Sequence, residues 1–221
     1  MDAWTHPTHT FDRLPGPHPG AYWERLREPR HLVARDLALV ARLRRTRPLV
    51  DVGCGNGAFV RACRAAGIDA VGVEPSRSAV TVAFGAGVDV LRAAGEELPV
   101  DSGALDVVRL KEVLEHVERP LDLATEMRRV LRPGGLLLAY VPTQWSPLYP
   151  AVVNFWDDYT HVRPFSRTGL MRLLEDAGFA RISVEGYTPP LEPWQRPLCA
   201  ALSRGFPFLW RAVARKGDGD A

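Results

Sequence analysis

The chain holds 221 residues, of which 46% are hydrophobic and 24% charged, with a formal net charge of +2. That length and mixture suit one substantial folded domain and exclude disordered and collagen-like chains. Only Lys111 and Lys216 among the 28 basic residues are lysines, and the arginines alternate with acids instead of clustering, so no nucleic-acid partner is expected.

Cys54, Cys63 and Cys199 stand at unrelated spacings, which predicts reduced thiols and a cytoplasmic protein. No window reaches the ~18 apolar residues a membrane span needs, and the N-terminus lacks a charged segment followed by an apolar run. Neither secretion nor a transmembrane anchor is expected. Residues 1–29 read as an arm or loop, with four prolines and three histidines in the first twenty. His6 and His9 lack cysteine or carboxylate partners at metal-site spacing, and no metal site is expected.

From Arg30 to Arg45 the positions Leu32, Val33, Leu37, Val40, Ala41 and Leu43 recur at three- and four-residue spacing, predicting an amphipathic helix closed by Pro48. Strands and helices then alternate. "PLVDVG" precedes the helix "GAFVRACRAAG", "DAVGVEP" precedes "RSAVTVAFGAG", and "VDVLRA" is a short strand. "ALDVVRLK" precedes the helix "PLDLATEMRRVLR", "LLLAYVP" follows, and the helix "SRTGLMRLLEDAGF" leads to "RISVEGY". The strands show little in–out alternation, as when helices cover both faces of a parallel sheet. The pattern predicts a doubly wound, Rossmann-like α/β sheet preceded by a helical segment.

Two stretches break the rhythm. Residues 143–165, "TQWSPLYPAVVNFWDDYTHVRPF", fall where a strand's C-terminal end should open on a ligand crevice, and they are dense in aromatics and ionisable groups. They form an insertion within a domain spanning 30–188. Residues 189–221 carry five prolines up to Leu209 and then a last possible strand, "WRAVARK", and read as a cap and final strand of the same domain. Arg196, Arg204, Arg211 and Arg215 along this stretch offer a lesser alternative, contact with a membrane surface or lipid-linked substrate.

"LVDVGCGNGAF" runs from a strand into Gly53, Gly55 and Gly57. Missing side chains there permit a tight turn and let a ligand approach the backbone, beside a helix N-terminus suited to an anion. Glu74, at the end of the next strand, is placed to accept hydrogen bonds from ribose hydroxyls. Together they predict an adenosine-like ligand and leave open whether it is a nicotinamide or a sulfonium cofactor.

"VDVGCGNG", "VGVEPS", "AGEELPVDSGALDVVRLKEVLEHV" and "MRRVLRPGGLLLAYVP", in that order, resemble class I S-adenosylmethionine-dependent methyltransferases of the small-molecule type over residues 45–185. The resemblance implies a mostly parallel seven-stranded sheet with a reversed last strand, which "WRAVARK" would supply. It implies that Asp51, Gly53, Cys54, Gly55, Asn56 and Gly57 line the cofactor's methionine portion, that Glu74 holds the ribose hydroxyls, and that Pro75 belongs to the same cofactor-binding set. The family's adenine-binding Asp is replaced by Ala94, which shifts that role to Gly95 and Glu96. Leu110, just beyond the fourth strand, would present its backbone to the cofactor's amine. Cys54 also reads as a small buried residue, and Asp106 as a residue that orders its loop.

The reaction implied is methyl transfer to a small-molecule acceptor, foremost a hydroxyl of a natural product, quinone-like ring or sugar. Alignment and exclusion of water account for much of such a reaction, and a base is required only for a weakly acidic acceptor. His116 in "VLEHV" and His161 in "DDYTHVRPFS" compete for that role, His116 with orientation of the loops near the cofactor as its alternative and His161 as base or substrate anchor beside Asp157, Asp158, Tyr159 and Arg163. Trp145, Tyr149, Phe155, Trp156 and Tyr159 would wall the acceptor pocket. A monomer or homodimer is expected. The rival readings are a nicotinamide-dependent oxidoreductase and a non-catalytic cofactor-binding protein.

Overall fold

A computed structural model describes residues 30–42, 48–148, 155–188 and 204–218, with Pro197 and Ala201. Each apolar run becomes a strand and each amphipathic run a helix. Helix α1 (Arg30–Ala41) leads into β1 (Leu49–Val52), α2 (Ala58–Ala65), β2 (Ala70–Val73), α3 (Arg77–Gly85) and β3 (Val90–Leu91). Then come β4 (Leu105–Lys111), α4 (Pro120–Val130), β5 (Leu131–Pro142), α5 (Arg167–Asp176), β6 (Phe179–Tyr187) and β7 (Leu209–Lys216). Single 3₁₀ turns occupy Leu114–His116, Ser146–Leu148 and Phe155–Asp157. No helix among the described residues is long and apolar enough to cross a membrane.

Local chemistry sets the helix starts. Ser76 and Ser166 accept the amide hydrogens of Ala79 and Gly169, capping α3 and α5. Pro120 opens α4, where its missing N–H leaves no bond unmade, and Arg128 and Arg129 complement the dipole in its last turn.

The seven strands lie in the order β3-β2-β1-β4-β5-β7-β6. β1 to β5 pair in parallel, whereas β7 runs antiparallel to both β5 and β6. "WRAVARK" thus supplies the reversed strand. The dinucleotide-binding order 3-2-1-4-5-6 has no such strand wedged between β5 and β6.

Two apolar layers hold the sheet. On one face Leu123, Met127, Val130, Leu170 and Leu174 of α4 and α5 pack on Val108, Leu110 and Leu137. On the other, Val40, Phe59, Val60 and Cys63 of α1 and α2 cover Leu49, Val107, Leu136 and Leu138. Each fully buried side chain of this size contributes ~1.5–3 kcal/mol.

The structure also departs from expectation. The helix expected to reach Arg45 ends at Ala41, and residues 43–47 lie outside the described set. The helix expected to reach Arg132 ends at Val130, and its C-cap Leu131 already pairs with Leu105 at an irregular start of β5. Arg211 is not a surface cation: it is buried in β7, bonded to Tyr140 and Glu185, which removes it from any membrane-facing set. Most of the proline-rich stretch, with Arg196 and Cys199, lies outside the described residues.

Candidate active site

The glycine turn follows β1 with Gly53, Gly55 and Gly57 at φ of 72, 53 and 71°, all in the left-handed region that glycine alone adopts without strain. Their bareness also serves the protein's own packing. A Cβ on Gly53 would stand 2.4 Å from Cγ2 of Val113, and one on Gly57 would meet Cγ1 of Val88 at 2.8 Å. Inside the turn, Gly53 and Cys54 donate their amides to the Val73 carbonyl, and Asn56 Oδ1 accepts from the Ala58 amide. Cys54 packs on Gly72, whose added Cβ would lie 2.6 Å from its Sγ, and burial pushes its thiol far up. It is a small buried neighbour of the turn, as one of its two sequence readings had it.

Glu74 ties the turn to the next βα junction. Its Oε2 accepts from Gly55 N and its Oε1 from Ser76 N, both at 2.9 Å. Burial raises its carboxyl to about 7, against the two backbone donors, and the neighbouring Asp51 adds to the rise. Each carboxylate oxygen has a second lone pair, so these bonds leave acceptor capacity for a ligand's hydroxyls.

Asp51 belongs to a buried ionic chain. Arg109 Nη1 donates to Asp51 Oδ1 and Arg109 Nε to Asp36 Oδ2, each at 3.0 Å, while its guanidinium lies 3.9 Å over the Phe59 ring. Tyr140 donates to Asp36 Oδ1 at 2.5 Å and accepts from Arg211 Nε, and Arg211 continues to Glu185, which also pairs with Arg35. Sequence reasoning missed this chain. The available signal was an arginine inside the apolar run "DVVRLK", because a cation buried in a strand requires carboxylate partners.

The other expected cofactor residues divide. Gly95 is packed so closely that a Cβ would lie 2.9 Å from both Leu123 and Val52, whereas Glu96 is exposed and Pro75 half-buried. Leu110 is not beyond β4: it lies within the strand, 1% exposed and in register with Val52 and Ala139. The chain leaves β4 only at Glu112, which has a φ of 55° and pairs with Lys111. Asp106 pairs with Arg132, ordering the start of β4.

After β4 the chain turns over the glycine turn through Val113 and enters Leu114–His116. The insertion returns to this point. Its ends are pinned together by a Thr143–Phe165 bridge, and Val162 N bonds the Glu115 carbonyl at 2.7 Å. As a result the two candidate histidines, 45 positions apart in sequence, lie side by side, their ring centroids 4.5 Å apart. His161 stacks on Phe155 and its Nδ1 bonds the Phe155 carbonyl at 2.6 Å. His116 Nδ1 meets Thr160 Oγ1 at 2.8 Å, and Thr160 bonds Asp158 Oδ1 at 2.6 Å. Burial and the adjacent His161 lower His116 to about 4, so it is neutral at neutral pH. Burial works against the Asp158 carboxylate, but the Thr160 hydroxyl and amide outweigh it and keep the group below its ordinary range.

Of the expected aromatic wall, Phe155 is buried and Trp145 is half-buried against Phe206, while Trp156 and Tyr159 stand 59% and 57% exposed. Tyr149 lies outside the described residues. Arg163 donates to the Glu118 carbonyl, fastening the insertion to the loop before α4. The sequence also passed over Glu115, which is 0% exposed beside both histidines.

This sheet order, with a glycine turn and an acid at the ends of its first two strands, defines the Rossmann-like class I methyltransferase fold. A family model described as a methyltransferase domain matches residues 22–184, and the chain belongs to that family. It is 38% identical over 140 residues to an uncharacterized methyltransferase of Mycobacterium ulcerans, covering 60% of this chain and 54% of that protein. The chain thus spans about half the length of the curated relatives it matches. A SAM-dependent methyltransferase from Archaeoglobus fulgidus shares the fold at a TM-score of 0.70 and 21% identity, over 89% of this chain and 98% of that one. So does phosphoethanolamine N-methyltransferase 2 of Haemonchus contortus in complex with S-adenosyl-L-methionine, at 0.60 and 18%, over 83% and 52%.

Proposed function

We propose that this chain binds S-adenosylmethionine across the ends of β1 and β2 and catalyses methyl transfer to a hydroxyl of a small molecule such as a natural product, quinone-like ring or sugar. The observation that carries the reading is a contact: Val113, leading into the His116–His161 pair, packs directly on Gly53. A cofactor on the turn and an acceptor at the histidines would therefore be neighbours.

When bound, the cofactor supplies an electrophilic methyl on a sulfonium. Gly53, Gly55 and Gly57 offer it backbone without side chains, Glu74 receives the ribose hydroxyls on its remaining lone pairs, and Asp51, fixed by Arg109, supports the turn from β1. Gly95 would lie along the adenine with only its backbone to offer, since Ala94 replaces the acid common in the family. His161 serves as base or anchor for the acceptor hydroxyl. His116, held by Thr160, orients the pair. Phe155 and Trp145 exclude water on the acceptor side.

Cys54 and Cys63 are buried thiols, which fits a reducing cytoplasm. The nicotinamide alternative is disfavoured by the reversed β7.

Two measurements test the reading. Calorimetry with S-adenosylhomocysteine should give one site per chain, and NAD should give none. With an acceptor found by screening phenols, quinols and sugars, His161→Ala should lower kcat by ~10²-fold or more while leaving cofactor affinity within about twofold. Full turnover in both His161→Ala and His116→Ala ends the assignment of either as base or anchor.

A further inference from the structure

Glu115 is an anomaly among the buried acids of the described residues, since Asp36, Asp51, Glu74 and Asp106 all have partners. Its side chain is 0% exposed, and neither carboxylate oxygen has a hydrogen-bond partner among the described residues. A buried carboxylate left so is costly, and a compensating partner is expected. One oxygen of Glu115 and one ring nitrogen each of His116 and His161 all lie within 4.8 Å of one another.

The surrounding bonds orient both rings. The Phe155 carbonyl can only accept, so His161 Nδ1 carries the proton of that bond and the lone pair of the neutral ring sits on Nε2. Asp158 takes the Thr160 hydroxyl hydrogen, so Thr160 Oγ1 must accept from His116 Nδ1, and His116 likewise keeps its lone pair on Nε2. A carbonyl behind one imidazole, and a carboxylate-anchored hydroxyl behind the other, is the second layer that metal-binding histidines use to fix their tautomer. His161 Nε2 is 4.0 Å from Asp158 Oδ2, too far for a hydrogen bond to claim that atom.

We propose that Glu115, His116 and His161 form a binding site for one divalent transition-metal cation, at the acceptor end of the cofactor crevice. Two imidazoles and one carboxylate are a ligand set for Zn²⁺ and its neighbours Mn²⁺, Fe²⁺ and Co²⁺, and a poor one for Mg²⁺, which selects oxygen ligands and water. Three protein ligands leave positions open. The acceptor class that fits is one that places its own hydroxyl oxygen on the ion, which then acts as the anchor ascribed above to His161. Only this last step rests on the methyl-transfer reading; the ion site itself does not.

The test uses the untagged 221-residue chain, stripped with a chelator and titrated with Zn²⁺, Co²⁺ and Mg²⁺ without cofactor or acceptor. Calorimetry should give one Zn²⁺ per chain, and Co²⁺ should develop visible d–d bands. Affinity for Zn²⁺ should fall by at least 10-fold in His161→Ala and in Glu115→Gln, each checked for native circular dichroism and cooperative unfolding. Thr160→Val, which removes only the support of His116, should weaken binding by ~10-fold or more. Absence of stoichiometric binding, Zn²⁺ binding unchanged in folded His161→Ala, or preference for Mg²⁺ over Zn²⁺ overturns the proposal. Failure here leaves the methyl-transfer reading standing, and its failure in the cofactor titration leaves the ion site standing.

Discussion

Glu74 faces opposing demands at a single residue. Its burial opposes ionisation, yet ribose binding needs a carboxylate to accept from hydroxyls. With its carboxyl raised to about 7, above the ordinary glutamate value, its ionisation destabilises the fold. Stability on this account is greatest at low pH and falls as pH rises from about 4.5 towards 7, the direction set by the unfolded chain ionising first. Cofactor affinity should move oppositely, rising between pH 6 and 8, and Glu74→Gln should flatten both profiles while weakening S-adenosylhomocysteine binding by ~10-fold or more. Calorimetry and urea unfolding across that range would check it. Gly53 faces another constraint, since φ of 72° and Val113 both exclude a side chain. Gly53→Ala should cost ~1–3 kcal/mol in urea unfolding, and Val113→Ala in the same chain should recover part of that by removing the clash but not the backbone strain.

At the scale of elements, α1 is joined to the sheet by charge as well as by apolar area. Asp36 is 0% exposed and accepts from Arg109 and Tyr140, which belong to β4 and β5. Asp36→Ala leaves Arg109 buried with one carboxylate in place of two and should destabilise by ~3–5 kcal/mol in denaturant unfolding. Arg109→Met, Asp36→Leu and Asp51→Asn together should cost less than the sum of the singles, because the replacement removes the unpaired charges as well as the bonds. The insertion behaves as an element too. Its ends meet at Thr143 and Phe165, and Val162 fastens it to Glu115, so His161 is positioned by backbone pairing at both sides of the crevice.

For the whole molecule, the reversed β7 closes the sheet between β5 and β6 and buries Arg211 and Lys216, whose Nζ bonds the Leu131 carbonyl. A ligand that binds only the folded state stabilises it by ~2.7 kcal/mol at a hundredfold excess over Kd. S-adenosylhomocysteine at that excess should therefore raise Tm by several degrees, and NAD should leave it unchanged; the reverse result would favour the oxidoreductase reading.

The sequence by itself determined the alternation of strands and helices, the glycine turn and the acid after β2, because hydrophobic period and glycine geometry act over a few neighbouring residues; the reversed last strand was implied only by the family resemblance. It also marked out 143–165 as an insertion. What it left undecided depends on distance across the fold. That His116 and His161 stand side by side could not be read from positions 45 apart, since it depends on residues 143–165 folding back. Arg211 read as a surface cation, Leu110 as a residue beyond its strand and Leu131 and Arg132 as helical, since burial and strand register are properties of the assembled sheet. Glu115 was a charge beside a motif in the sequence, and only its complete burial without a hydrogen-bond partner among the described residues made it informative.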